Sequence, residues 1–537
     1  MNIIIGISWP FANGELHIGH AASSLPGDVI ARYHRLKGNK VILVSGTDCH
    51  GTPTEVKALK ENTTPEYLVD KCHALFAKDF KDFGISFDLY NRTDDPYHKQ
   101  FVQEQFIKYY QNGYLEEREE EQLYCNHCHL FLADRYIIGI CPKCGADIKG
   151  DECEKCGSLL TIKEVKETKC AICENSTSYQ KNKNLYFKLS LFQNDIKKLL
   201  DSKKLDWREN AINFTERYLK EGIPDRCASR TLKYGIDIPI DGFKDKKLYG
   251  WFENVWGYVT ASKKYALEHH LNWEDFWRGN NSKIYLVHAK DNIPFHTVIF
   301  PALLLGTNDN YRLPDKIISD EYITIDGEKL SKSKGNYITL RHLLDNYEVD
   351  DIRYFLSINN PENRDFNFTY EGFINSINGE LLGKWGNFVN RVLQFINKSF
   401  NGQINNYQPD KKIEQTLIEL YNQVGNDIDN GYTKNAIIKI FDYIKDSNKY
   451  FDEHEPWKLF KEDNNKCQEI LYNCLNIIFN INNLLKPYLV KTTLLVEEYI
   501  HNYNDIWQYK QVNSIKIEEH IKPLFNRYDK EKELFKK

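Results

Sequence analysis

The chain has 537 residues, 41% hydrophobic and 27% charged, an ordinary globular balance that predicts about three or four domains. Its 71 basic and 76 acidic residues leave a formal charge of −5, so whole-chain basicity does not advertise nucleic acid, although a local basic face stays compatible with it. No apolar run reaches the roughly 20 residues of a membrane helix, and the opening MNIIIGISWP lacks a basic leader and cleavage site; membrane and secreted classes are set aside and a cytoplasmic chain is expected.

Asn2–Ser8 (NIIIGIS) and Lys40–Ser45 (KVILVS) have the near-continuous apolar character of buried parallel strands, and a helical pattern from His17 to about Lys37 separates them. Residues 116–180 break this β-α-β rhythm: they are Gly-rich, Cys-rich and poor in apolar periodicity. Eight of the 13 cysteines stand here as Cys125/Cys128, Cys141/Cys144, Cys153/Cys156 and Cys170/Cys173. In a large chain without a leader, such pairs indicate metal in a reducing compartment. Eight thiolates make two closed four-sulfur zinc sites, which are structural. From about Leu185 the α/β rhythm resumes, with Lys283–His288 (KIYLVH) as another strand. After about Tyr370 strands cease. Ile413, Leu417, Leu420, Val424 and Ile428 follow helical spacing, and so do Ile470, Cys474, Ile477, Ile481 and Leu484. N-G and Q-P-D near residues 401–410 mark a loop between helices of a terminal bundle.

Two short motifs carry chemistry. His17-Ile-Gly-His20 begins a helix after the first strand; its histidines share one face, and a helix N-terminus favours phosphate. Lys329-Leu-Ser-Lys-Ser333, followed by Lys334-Gly335, offers flexible lysines that can close on a polyphosphate. Alone, the first reads as ordinary histidines and the second as a solvated basic loop. Together on one α/β chain they point to a single phosphate site. Asp48 ends the second strand, where doubly wound sheets bind ligands; a turn or capping Asp is the plain alternative.

These residues resemble the HIGH and KMSKS motifs of class I aminoacyl-tRNA synthetases. The match extends to Trp9-Pro-Phe-Ala-Asn-Gly14, Gly46-Thr-Asp-Cys-His-Gly-Thr-Pro53, the four cysteine pairs, Ala289-Lys-Asp-Asn-Ile-Pro-Phe-His296 and Glu455-Pro-Trp457, and over the whole chain it resembles the methionyl family. The resemblance implies an α/β, Rossmann-type doubly wound parallel sheet with a zinc-knuckle insertion and an all-α anticodon-binding bundle. The corresponding division is 1–115 and 185–320 for the two halves of the catalytic domain, 116–184 for the insertion, 321–370 for the lysine-motif region and 371–537 for the bundle.

The implied activity is ATP-dependent activation of methionine and its transfer to tRNA(Met). His17, His20, Lys329 and Lys332 would serve the phosphates with Mg2+. Gly19, Ala289, Asp291 and Lys332 would hold ATP, Asp291 at the ribose. Trp9, Phe11, Asp48, Trp251, Asn254, Tyr258 and His296 would hold the amino acid, Asp48 at its α-ammonium. Asn387, Arg391 and Trp457 match the readers of a CAU anticodon; bases of single-stranded loops stack on aromatics and bond at their edges. The inner cysteine pairs are close enough for one zinc site and the outer pairs would close the second, as in two-zinc members; sequential pairing stays open. A monomer is expected, because the chain stops after the bundle without an appended dimerising domain.

Several positions depart from the family pattern. Asn254 stands where Ala is usual, Trp256 where a smaller residue is usual, Phe11 for Tyr, Ala289 for Gly and Leu330 for Met. The only methionine is the initiator. These departures suggest an enzyme that serves when a housekeeping synthetase is inhibited, its altered pocket excluding the inhibitor; drift in a Leu/Ile-rich chain is the plain alternative. Two further readings stay open: a paralogue that activates another amino acid or an analogue, and a zinc-containing tRNA-binding module without catalysis.

Overall fold

Five parallel strands form the central sheet: Asn2–Ile7, Lys40–Thr47, Leu89–Arg92, Ser282–Ala289 and Lys316–Asp320. Counted in chain order they lie 5-4-1-2-3, and Asn2 of the first strand pairs with both Ser282 and Lys40. Strand order reverses beside the first strand, and such a switch opens a crevice at the carboxyl ends. The computed structural model describes residues 1–132, 136–150, 153, 160, 162–325, 327–329, 337–514 and 516–529, with backbone alone at 328 and 329.

The strands are apolar on both faces. Ile3, Ile5, Ile7, Leu43, Val287 and Ile318 belong to one core, whereas Ile4, Ile42, Val44, Leu286 and Ile317 belong to another. The two-residue period of a strand makes this partition, and helices cover both faces. The helix Ile18–Leu36 links the first two strands. A Cβ at its Gly27 would sit 2.6 Å from Ile7, so this glycine lets the helix press directly on the first strand.

Between the third and fourth strands, Leu115–Cys125 and Ser178–Phe187 form a long antiparallel ladder from Leu115↔Phe187 to Tyr124↔Ser178. Glu117 with Lys183 and Glu119 with Lys181 make ion pairs across it, and the cysteines cluster beyond its far end.

The chain finishes in the helices Asn387–Phe400, Lys411–Asp429, Thr433–Glu453, Asn464–Leu485 and Thr492–Ile500. Asn464–Leu485 is buried over most of its circumference, asparagines included. Those amides take the place of strand partners for the following extended segment. Asn476 Oδ1 accepts from Val512 N at 2.9 Å, Asn480 exchanges two bonds with the Lys510 backbone at 3.0 Å, and Asn483 donates to Ile506 O at 2.9 Å. Trp507 N then donates to Leu36 O at 2.9 Å, tying this segment to the first helix.

The fully buried Arg353, on the helix Val349–Ile358, closes a second junction. It pairs with Asp28 of the first helix at 2.7 Å and donates to Tyr488 O and Pro487 O beyond the bundle's longest helix.

Candidate active site

A cavity of about 260 Å3 lies at the carboxyl edge of the sheet. Every described side chain expected to meet the amino acid or nucleotide lines it: Trp9, Phe11 and Asp48 after the first two strands; His17 and His20 with Gly19 at the helix start; Trp251, Asn254 and Tyr258; and Ala289, Asp291 and His296 after the fourth strand.

His17 is the N-cap of Ile18–Leu36. Its Nδ1 accepts from Gly19 N at 3.2 Å, while His20 Nδ1 accepts from His17 N at 3.1 Å. This is a reciprocal capping box built from two imidazoles. A nitrogen that accepts an amide proton carries none of its own, so each neutral ring bears its proton on Nε2. The helix start thus offers two ring N–H donors where its dipole already favours anions.

The amino-acid side of the cavity is built on a buried carboxylate. Asp48 is 1% exposed; Asn254 Nδ2 donates to its Oδ2 at 2.9 Å, and Asp48 Oδ1 has no hydrogen-bond partner among the described residues. Burial and the nearby Glu253 carboxylate hold the Asp48 carboxyl well above the usual range, against the lowering effect of Asn254 and the His50 backbone. Such a group gains most from a cation that brings its own N–H donors.

Glu253 is itself buried, yet His50 and His98 outweigh that burial and hold its carboxyl low. His50 Nδ1 lies 2.8 Å from Glu253 Oε1, and His98 Nε2 lies 3.5 Å from Oε2. His50 sits inside the Gly46–Pro53 motif and Glu253 stands next to Asn254, but nothing in spacing alone joins residues 203 positions apart.

The far wall is neutral. His296 Nδ1 donates to Asn292 O at 2.8 Å, so Nε2 accepts from Tyr258 Oη at 2.8 Å. Burial pushes His296 down to about 4, and His288 stacks on it with centroids 4.1 Å apart. Trp9 occupies a slot made by two glycines: a Cβ at Gly46 or Gly257 would fall 2.3 or 2.6 Å from its ring. Trp251 stacks on Phe295 and meets Phe11 edge-on. The subsite pairs flat apolar walls with one carboxylate.

One expectation is corrected. Trp256, read from the sequence as a pocket substitution, does not line the cavity. It is fully buried and packs edge-on against Phe101, Phe300 and Tyr311. The 3-10 turn Asn254–Trp256 directs Asn254 and Trp256 apart, a divergence invisible at residue spacing.

The lysine motif falls largely outside the described residues. The Lys329 backbone pairs with Thr324 in a short antiparallel strand; Lys332 lies outside. The Thr324 strand follows Glu321, Tyr322 and Ile323, which line the cavity, so the motif is attached beside it.

The cysteines form two groups. Cys125, Cys128, Cys170 and Cys173 converge, with Sγ–Sγ distances of 3.4 Å for Cys125–Cys173 and 3.9 Å for Cys128–Cys170. Cys141, Cys144 and Cys153 form the other group, with Cys144–Cys153 at 3.5 Å; Cys156 lies outside the described residues. Ligands at a Zn–S distance of about 2.3 Å in a tetrahedron stand about 3.8 Å apart. These spacings fit shared coordination and are too long for disulfides. The outer pairs therefore sit together, and sequential pairing does not describe this arrangement.

In the bundle, Asn387 and Arg391 lie one turn apart on Asn387–Phe400. Arg391 pairs with Asp452 and stacks over Phe451, which in turn contacts Trp457 at 6.1 Å between ring centroids. Asn387 and Trp457 are exposed. Glu455 holds a left-handed backbone (φ 40°) that turns the chain into Pro456–Glu462.

The family model for class I (M) tRNA synthetases matches residues 3–393. The chain is 45% identical over 531 residues to methionine--tRNA ligase 1 of Alkaliphilus oremlandii, covering 99% of this chain and 98% of that protein. It is 44% identical to a methionine--tRNA ligase of Streptococcus pneumoniae, with 99% and 97% covered. Its fold resembles that of Mycobacterium tuberculosis methionyl-tRNA synthetase solved with methionyl-adenylate, at a TM-score of 0.81 and 21% identity over 98% of this chain and 100% of that one. The parallel doubly wound sheet with a cavity at its switch point is a Rossmann-type arrangement, and the family match makes the chain a class I synthetase. The chain belongs to the methionyl family of these enzymes.

Proposed function

We propose that the chain activates methionine with ATP and transfers it to tRNA(Met). The observation that carries this reading is a single cavity that joins the buried Asp48 carboxylate to the two-histidine helix start. In the first step a methionine carboxylate oxygen bonds to the α-phosphorus, and the bond to pyrophosphate breaks. In the second, a ribose hydroxyl of the tRNA's terminal adenosine attacks the acyl carbon and AMP departs. Chemistry of this kind needs placement and charge stabilisation more than covalent catalysis.

His17 and His20 direct Nε2–H donors at the phosphates, and Lys329 and Lys332 offset charge moving onto the leaving group. Mg2+ supplies further positive charge to the phosphates. Asp291 binds the ribose, while Gly19 and Ala289 border the nucleotide. Asp48 holds the α-ammonium between Trp9, Phe11, Trp251, Asn254, Tyr258 and His296.

Zinc at Cys125/Cys128/Cys170/Cys173 and at Cys141/Cys144/Cys153/Cys156 would stiffen the insertion (116–184) between the catalytic halves 1–115 and 185–320. Asn387, Arg391 and Trp457 of the bundle 371–537 read CAU, and 321–370 carries the lysine motif. A monomer in the cytoplasm completes the reading.

The test is charging of a tRNA(Met) transcript. Methionine is expected to be the amino acid accepted, and replacing the CAU anticodon is expected to lower charging at least 100-fold. Preference for another amino acid overturns the assignment, and tRNA binding without charging favours a non-catalytic module. The altered-pocket reading adds that a methionyl-adenylate mimic inhibits this enzyme less than an ordinary homologue. Inhibition equal to that of the homologue rejects that reading.

A further inference from the structure

Asn254 puts an amide where a cavity for an apolar side chain has no evident use for one. It is 7% exposed, lines the cavity and donates through Nδ2 to Asp48 Oδ2. The nitrogen end of the amide thus faces Asp48, and its oxygen makes no bond to the carboxyl. Asn254 Oδ1 and Asp48 Oδ1 are both buried and both lack a hydrogen-bond partner among the described residues. An acceptor left unsatisfied in a protein interior is unfavourable, and here two belong to one hydrogen-bonded pair on one cavity wall. A hydroxyl has one proton to donate, and the two protons of a water come without positive charge. A primary ammonium brings three donors and the charge that Asp48 lacks a partner for.

We propose that Asn254 is a second acceptor for the substrate's α-ammonium. Asp48 Oδ1 takes one N–H, Asn254 Oδ1 takes another, and the Asn254 amide N–H fixes the carboxylate between them. Asn254 is then a specificity-determining residue for the amino group, whereas an Ala there would leave Asp48 to act alone. This rests on the reading that the amino acid lies in this cavity beside Asp48.

The experiment is calorimetric titration of the full chain with two methionine analogues. Methioninol keeps the ammonium and lacks the carboxylate; 4-(methylthio)butanoate keeps the carboxylate and thioether and lacks the ammonium. In Asn254→Ala the dissociation constant for methioninol is expected to rise at least tenfold, with that for 4-(methylthio)butanoate unchanged within twofold. Asn254→Leu preserves the volume and removes both polar functions, so it should show the same selective loss. Equal weakening of both analogues, or of neither, overturns the proposal and makes Asn254 a matter of cavity shape. In the parent enzyme, N,N-dimethylmethioninol retains one N–H and is expected to bind at least tenfold more weakly than methioninol. Equal binding overturns the two-acceptor geometry without need of a variant. Failure of the parent to bind either of the first two analogues is a different result: it rejects the amino-acid reading of the cavity.

Discussion

At the scale of single residues, His17 does two tasks that are separable by substitution. Its Nδ1 caps the helix, and its ring lines the cavity. Asn is a preferred N-cap whose side-chain oxygen reaches the same backbone N–H, but it carries nothing at the position of Nε2. His17→Asn is therefore expected to keep the thermal midpoint within a few degrees while lowering methionine-dependent turnover by roughly 100- to 1,000-fold, the usual effect of losing one charge-stabilising donor. Pyrophosphate exchange and a melting curve on the same sample check both halves. A fall in stability with activity intact would reverse the division of labour.

Asp351 lends itself to a pH experiment. It is fully buried, and Tyr528 Oη donates to its Oδ2 at 2.7 Å. Burial, with Asp350 and Glu348 nearby, pushes its carboxyl from 3.8 up to about 7 despite that bond. Between those values the folded chain holds a proton that the unfolded chain has released, so this residue's contribution falls as pH rises through the window. Asn cannot ionise. Asp351→Asn should match the parent near pH 4 and exceed it at pH 8 by on the order of 2–4 kcal/mol. Chemical denaturation at the two pH values measures it, and an equal difference at both would exclude ionisation as the cause.

Among the elements, the cysteine-bearing insertion has the most local stability to lose. Its described residues form two small cores, one around Leu123, Tyr136 and Ile137 and one around Ile148 and Val165, little apolar burial to hold such short strands unaided. Zinc would supply the difference. Elemental analysis of the parent is expected to give two zinc ions per chain, and Cys170→Ser to give about one. That variant should also show faster amide exchange at Leu130–Phe131 and Cys170–Cys173 than at the second group. Two zinc ions retained in Cys170→Ser would reject the pairing of outer with outer cysteines.

How much of each element was legible follows from how local its cause is. The β-α-β start and the bundle helices could be read because burial imposes its period on the sequence directly. His17, His20 and Asp48 could be placed because an N-cap and a strand end are local features. The couplings could not: Asn254 meeting Asp48, His50 meeting Glu253, and Arg353 meeting Asp28 each join residues more than 200 positions apart. Trp256 shows the same limit. It lies two positions from Asn254, yet a 3-10 turn sends one to the cavity and the other to the core. The buried asparagines on Asn464–Leu485 would read as a polar helix face; the extended segment they hold lies about 30 residues downstream.

At the scale of the whole molecule, the first helix is where these parts meet. Its N-terminus faces the cavity, Asp28 in its middle receives Arg353, and Leu36 at its end accepts from Trp507. A helix packed on the central strand through Gly27 and held at three points has little freedom to move independently of the bundle. The cavity wall and the distal helices therefore share one rigid element. The family assignment and the cavity together reduce to one chemical statement: this protein joins methionine to adenylate.

Isotopic ATP–pyrophosphate exchange by the purified chain, run across the twenty amino acids without tRNA, tests that statement most directly. Methionine is expected to support exchange at least 100-fold above any other amino acid. Exchange driven by a different amino acid, or none with any of the twenty, would contradict it.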